Sequence, residues 1–288
     1  MLYFSGVEDT KQIPGLKPIS NLLNLLVAVT LPFYFIKEFA YLIFLGQDRN
    51  AICNGRGLTG LKKGAHVDLN VNALIEAKNN LKCTLNDILM ALMTMTLKDY
   101  FEHAKKDPDF SEFDVPSFIR IQAPVSLRAP VKRTQDVSMV NSISVYKSTF
   151  MFKDNFKDQV RHINKYYKQN FSILSSIGLK WVIHVGLMLP FTIASSLISW
   201  ISNKYTVACS NVNASKVPFS FAGKETQQLI VYTVSNGNNC CSFVFPRTGN
   251  AMSLTLFTDI ALVKDPKILK DLFNKHYEKE ILAGFKGK

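Results

Sequence analysis

The stretch 84–100, TLNDILMALMTMTLKDY, is apolar on nearly every side between Ile88 and Met95. A surface helix needs one apolar stripe, whereas a helix that is apolar all round has to be enclosed by other elements. The chain must therefore fold around this segment, and 288 residues suffice for one large or two small domains. The same segment opens on Asn86-Asp87, two side chains that are costly to bury without partners. One explanation is local. Thr84 can serve as N-cap with Asp87 as its reciprocal partner at the third helical position, and a carboxylate in the first turn complements the helix dipole. The other is that the pair is kept for chemistry close by.

The rest of the chain supplies elements to pack on this helix. Residues 22–45 are apolar, interrupted by Pro32 and by Lys37-Glu38, and the uninterrupted piece from Leu22 to Ile36 is short for a bilayer span. The basic, glycine-rich stretch 53–69, CNGRGLTGLKKGAHVDL, leads into a strand and lacks P-loop spacing. Residues 71–81 predict a short helix, 117–128 and 138–146 strands, and 153–170 a helix with Lys153, Lys157, Arg161, Lys165 and Lys168 on one face. That face is either solvated or a contact for phosphate or anionic lipid. Residues 181–201 are long and apolar enough to suggest a membrane span, but Pro190 and a stripe of Thr192, Ser195, Ser196, Ser199 and Asn203 favour a surface or interfacial helix. Four strands follow, YTVACSN, QQLIVYTVS, CCSFVFP and AMSLTLFTDIAL, and then a closing helix from Asp265 to about Ala283. The expected class is α/β, a mixed β-sheet layered with helices.

Composition narrows the partners. A net charge of +12 favours anionic ligands, yet no zinc-finger spacing, RNA-binding aromatic signature or Arg-rich arm is present, so nucleic acid is not expected. Five cysteines, Cys53, Cys83, Cys209, Cys240 and Cys241, include no C-x-x-C pair for metal or redox work, and the reading is reduced thiols in a cytosol-facing protein. The first residues carry no secretory signal pattern.

The segments also occur in a telling order: NGRGLTGLKK, TLNDILMALMTMTLKDYF, IQAPVSLR, MVNSISVY, ACSNV, FSFAGKETQQLIVY and AMSLTLFTDIALVKDPKILKDLFNKHYEKEI. That order, from about Asn54 to Ile281, resembles the C-terminal half of the bifunctional wax ester synthase/diacylglycerol acyltransferase family. The resemblance implies a fold like the C-terminal domain of the two-domain CoA-dependent acyltransferases, with an active-site tunnel between the domains. It implies that 53–288 form that domain and that 1–52 are a connecting segment with apolar interfacial or core helices. It places Asn86 and Asp87 as active-site support, and Pro124, Ser126, Arg128, Asn141, Ser210 and Asn211 as candidates to line the substrate channel. Two departures stand near that channel. Asn213-Ala214-Ser215 replaces the family's Pro-Gly-Pro after Ser/Thr-Asn-Val, and Val140-Asn141 replaces Gly-Asn.

In the family, the second His of an HHxxxDG motif takes the proton from the acceptor hydroxyl as it attacks the acyl thioester. Here His66, His103, His162, His184 and His276 are scattered, with no adjacent pair and no fitting Asp-Gly. The opening residues resemble the segment that follows the motif, so Met1 falls about where a full-length chain leaves it. No catalytic residue and no metal ligand is assigned. The resemblance then implies an acyl-CoA-dependent O-acyltransferase that needs an N-terminal half. Acyl-CoA would be the co-substrate, diacylglycerol or a long-chain alcohol the acceptor, and no cofactor would be bound. Expected partners are a membrane or lipid-droplet surface and either an N-terminal-half partner or a second copy. The expected location is cytoplasmic, peripheral to the endoplasmic reticulum, the plasma membrane or lipid droplets. The alternatives are a catalytically inactive lipid- or acyl-CoA-binding regulatory protein and a single-span protein with 181–201 in the bilayer.

Overall fold

The computed structural model describes residues 21–127, 143–215, 220–232 and 239–284. The elements in chain order are α1 (Asn21–Phe44), β1 (Lys62–Asn70), α2 (Val71–Asn80), α3 (Leu85–Ala104), β2 (Phe118–Ser126), β3 (Ile143–Met151), α4 (Phe156–Asn170), α5 (Ile173–Leu187), α6 (Phe191–Ser202), β4 (Val207–Ser215), β5 (Ser220–Phe221), β6 (Lys224–Glu225), β7 (Cys241–Thr248), β8 (Ala251–Asp259) and α7 (Pro266–Tyr277), which runs on into a π-helical turn, Glu278–Ala283. Six strands form one mixed sheet in the order β1-β8-β7-β4-β2-β3. The neighbours β2 and β4 run parallel, as do β4 and β7; the other pairs are antiparallel.

Helix α3 lies at the centre of one face. Every residue from Asp87 to Leu97 is buried, as a helix without a polar side requires. It packs against α2, α4 and α7, and the main core joins it to Ile119 and Ile121 of β2, Phe243 and Phe245 of β7, and Leu254 and Leu256 of β8. At roughly 1.5–3 kcal/mol per fully buried large aliphatic or aromatic side chain, this layer dominates the folding energy. The basic side chains predicted at 153–170 are placed with one change: α4 begins at Phe156, capped by Asn155, so Lys153 precedes the helix. Lys157, Arg161, Lys165 and Lys168 are exposed, while Phe156, Val160 and Ile163 turn inward.

The other face of the sheet has two covers. Over β3 lie α1 and α5, joined by a small cluster of Leu42, Leu179 and Val182 on Val145. Gly178 permits that crossing, because a Cβ there would meet the Tyr34 backbone at 2.9 Å. Helix α1 runs through Pro32 instead of breaking there. A proline inside a helix removes one backbone hydrogen bond. Glu38, buried in the same helix, forms an ion pair with Lys147 of β3 that holds α1 to the sheet.

Over β1 and β8 lies residues 226–232. The strand expected at QQLIVYTVS is not formed across 227–232, and 233–235 lie outside the described residues. Strand β8 has no free edge, being paired by β1 and β7, and the open edge of β1 is left untaken among the described residues. The segment lies on the sheet face instead. Ser253 Oγ donates to the Leu229 carbonyl (3.4 Å), and the Tyr232 ring packs 5.6 Å from that of Phe257.

The apolar run at 181–201 is divided by Pro190 into α5 and α6. Among the described residues no helix is long and apolar enough to cross a membrane, which corrects the single-span alternative.

Candidate active-site wall

Asn86 and Asp87 stand where α3 begins. The Thr84 hydroxyl accepts the Asp87 N–H (3.1 Å), and Asp87 Oδ2 accepts the Thr84 N–H (2.8 Å), so the reciprocal cap expected from spacing is formed. The same Oδ2 also accepts the carboxamide N–H of Asn164 on α4 (2.7 Å). One helical turn further along α4, the Tyr167 hydroxyl faces Asn86 and the Ser148 hydroxyl on β3, within electrostatic reach of Cys209 on β4. Burial pushes the Tyr167 phenol up to about 12, so at neutral pH it is a hydrogen-bonding group and not a base. Asp87 thus ties α3 to α4 at one corner of the core. Asn164, Tyr167 and Ser148 were not singled out from sequence. The i, i+3 spacing of Asn164 and Tyr167, between the basic and the buried faces of α4, was the available signal.

The channel candidates divide by face. Strand alternation and the observed register put Asn211 on the α3 side, two residues beyond Cys209. Ser210, Pro124 and Ser126 point to the opposite side. Pro124, Ser126 and Asn211 are exposed and Ser210 is half-buried. Pro124 and Ser126 lie toward the carboxyl end of β2, the end of an α/β sheet where ligands are commonly held, and Ser210 and Asn211 lie in the middle of the neighbouring parallel strand β4. Arg128 and Asn141 lie outside the described residues.

No histidine joins Asn86-Asp87. His103 follows Asn86 by 17 residues on the same helix, a rise of about 25 Å. His276 on α7 contacts Asp99 (3.1 Å), 12 residues beyond Asp87. His162 Nε2 accepts the Met151 N–H (3.2 Å), and burial lowers its pKa, keeping it neutral. His184 packs edge-to-face on Trp181 of α5, and His66 lies on the edge strand β1 beside α7. The corner can hold and orient by hydrogen bonds, and among these groups none is placed to take a proton from an acceptor.

The glycine-rich stretch is fixed by a second carboxylate. Asp259, at the end of β8, accepts the backbone N–H groups of Thr59 (3.1 Å), Gly60 (2.9 Å) and Ala261 (3.0 Å) and the Thr59 hydroxyl (2.8 Å), and pairs with Lys62 (2.9 Å). Burial alone would raise its pKa. The bonds from Ala261, Lys62 and Thr59 outweigh that and hold it well below the usual carboxylate range. Gly60 has φ +76°, a conformation that disfavours any side chain. Burial raises the thiols as well, Cys53 to about 12 and Cys83 and Cys240 to about 11, and all five cysteines are free.

The family model for the WS/DGAT C-terminal domain matches residues 141–279. No curated protein sequence matches the chain. Among solved structures, the wax ester synthase/diacylglycerol acyltransferase from Marinobacter aquaeolei VT8 superposes with a TM-score of 0.55 at 10% identity, covering 96% of this chain and 60% of that one. The starter condensation domain of rhizomide synthetase, solved with C8-CoA and Leu-SNAC, gives 0.54 at 10% identity, over 94% of this chain and 57% of that one. TRI3 trichothecene 15-O-acetyltransferase from Fusarium sporotrichioides gives 0.51 at 12% identity, over 84% and 52%. At such identities the likeness is one of fold: this chain has the architecture of the condensation and acyltransferase domains. It spans less than two thirds of each of these proteins.

Proposed function

We propose that the chain supplies the C-terminal domain, residues 53–288, of an acyl-CoA-dependent O-acyltransferase. In this reading a long-chain acyl group passes from acyl-CoA to diacylglycerol or a fatty alcohol at a membrane or lipid-droplet surface. The observation that carries it is the WS/DGAT C-terminal domain match over 141–279. The fold shared with acyltransferase and condensation domains agrees with it. The Asn86-Asp87 corner holds one wall of the tunnel in register, and Ser126, Ser210 and Asn211, with Pro124, Arg128 and Asn141, border the channel. The proton-abstracting histidine comes from an HHxxxDG motif that these 288 residues do not contain.

The lack of that motif also favours a second reading, an inactive protein that binds acyl-CoA or lipid and regulates. An assay with purified chain, labelled palmitoyl-CoA, and either diacylglycerol or hexadecanol separates the two from a third outcome. The proposal expects saturable acyl-CoA binding without product from the chain alone, and product once an N-terminal half is supplied. Binding that never becomes turnover supports the regulatory reading. Neither binding nor product removes both.

A further inference from the structure

Helix α5 is largely apolar, with Lys180 its one formal charge, and is enclosed on one side only. Leu179 and Val182 face α1, and the opposite side, with Val185, Leu187 and Trp181, is bare. The bare surface continues across the α5–α6 turn and along α1. Phe33 is 75% exposed, Phe44 86%, Met188 77% and Phe191 85%. Exposure of this kind across three helices marks a surface that docks on a membrane or on another protein.

Charge says which of the two. Residues 29–44 and 171–202 carry only three formal charges, Lys37, Glu38 and Lys180. Glu38 is buried on Lys147, so no acid is exposed there. Lys165 and Lys168, at the end of α4, lead directly into the exposed Phe171 that precedes α5. Cations beside bare aromatic and aliphatic groups, with Trp181 among them, match an anionic headgroup layer over acyl chains. Between α1 and the α5–α6 pair lies a cleft of about 110 Å³ whose lining, including Phe35, Phe39, Val182, Leu197 and Trp200, is entirely apolar. It offers no hydrogen bond to a peptide.

We propose that α1 and the α5–α6 hairpin form a lipid-docking surface, with the turn around Met188 and Phe191 entering the acyl region of a bilayer or monolayer that carries anionic headgroups. The inference rests on the reading that the substrates are lipids, but its test reads membrane binding alone, so the two can fail separately.

Flotation of the full chain with phosphatidylcholine vesicles, with and without phosphatidylserine, is the experiment. The wild type is expected to float, more strongly with phosphatidylserine, and its tryptophan emission to shift to the blue. Met188→Ser with Phe191→Ser should weaken partitioning at least about tenfold, the effect of withdrawing one large apolar side chain from lipid or more. Phe44→Ser should do the same from α1. These side chains are exposed, so circular dichroism and Tm should not change. Absence of flotation, or equal flotation of the variants, overturns the proposal. So does a wild type that ignores vesicles but self-associates through residues whose replacement abolishes the dimer, which assigns the face to a second copy.

Discussion

Asp87 satisfies its own helix end and a neighbouring helix through a single oxygen, so its removal has two separable costs. Asp87→Ala should lose about 2–4 kcal/mol in urea unfolding, roughly one for the cap and the rest for an orphaned Asn164 amide. Asn164→Ala leaves the cap intact and should cost about 1 kcal/mol. Placed in a complete acyltransferase, Asp87→Ala should lower turnover further than its stability loss explains. Unchanged turnover in a folded variant would leave capping as its whole role. The difference between the two contacts is also the limit of what sequence tells. Thr84 and Asp87 are three residues apart, so helical geometry alone predicts their bond. Asn164 is 77 residues away, and only the packing of α4 on α3 brings it there. The same holds for Tyr167 and Ser148, while Arg128 and Asn141 have no described position.

At the scale of elements, two anchors carry testable weight. The Asp259 carboxylate holds the 59–62 turn, and its folded pKa lies below its unfolded value of about 4. Its contribution is therefore complete above about pH 4 and is lost as pH falls from there through the folded value. Asp259→Asn should cost about 3 kcal/mol at neutral pH, and its Tm should fall less than that of the wild type on acidification. A variant whose acid sensitivity matches the wild type would show that other carboxylates dominate. The second anchor is Glu38 with Lys147, which also sits 3.6 Å from the Tyr41 ring centroid. Glu38→Ala leaves a buried ammonium unpaired and should destabilise by about 3 kcal/mol, with α1 opening first in hydrogen exchange. Replacing both partners with Met should recover most of the loss. Strand and helix periods made most elements legible, because burial repeats along them. They could not say that 226–232 would lie across the sheet, since an apolar run reads alike whether it pairs at an edge or covers a face. Nor could they say that α1 would run through Pro32, a matter of what packs on it.

At the scale of the molecule, one sheet separates two kinds of surroundings. Its α3 face is a closed core that includes the buried Asp87 carboxylate; its other face carries helices that remain bare outward. In the function proposed above, the first would shape a tunnel wall and the second would meet the lipid. The most direct test is photo-crosslinking of the full chain with a diazirine-bearing palmitoyl-CoA, mapping by mass spectrometry only those adducts that free CoA competes away. The account predicts competed adducts in peptides around Asn86-Asp87 and at Pro124–Ser126 and Ser210–Asn211. Competed adducts confined to the β1–α7 side, or none at any site, would contradict the assignment of this corner to the acyl-CoA tunnel.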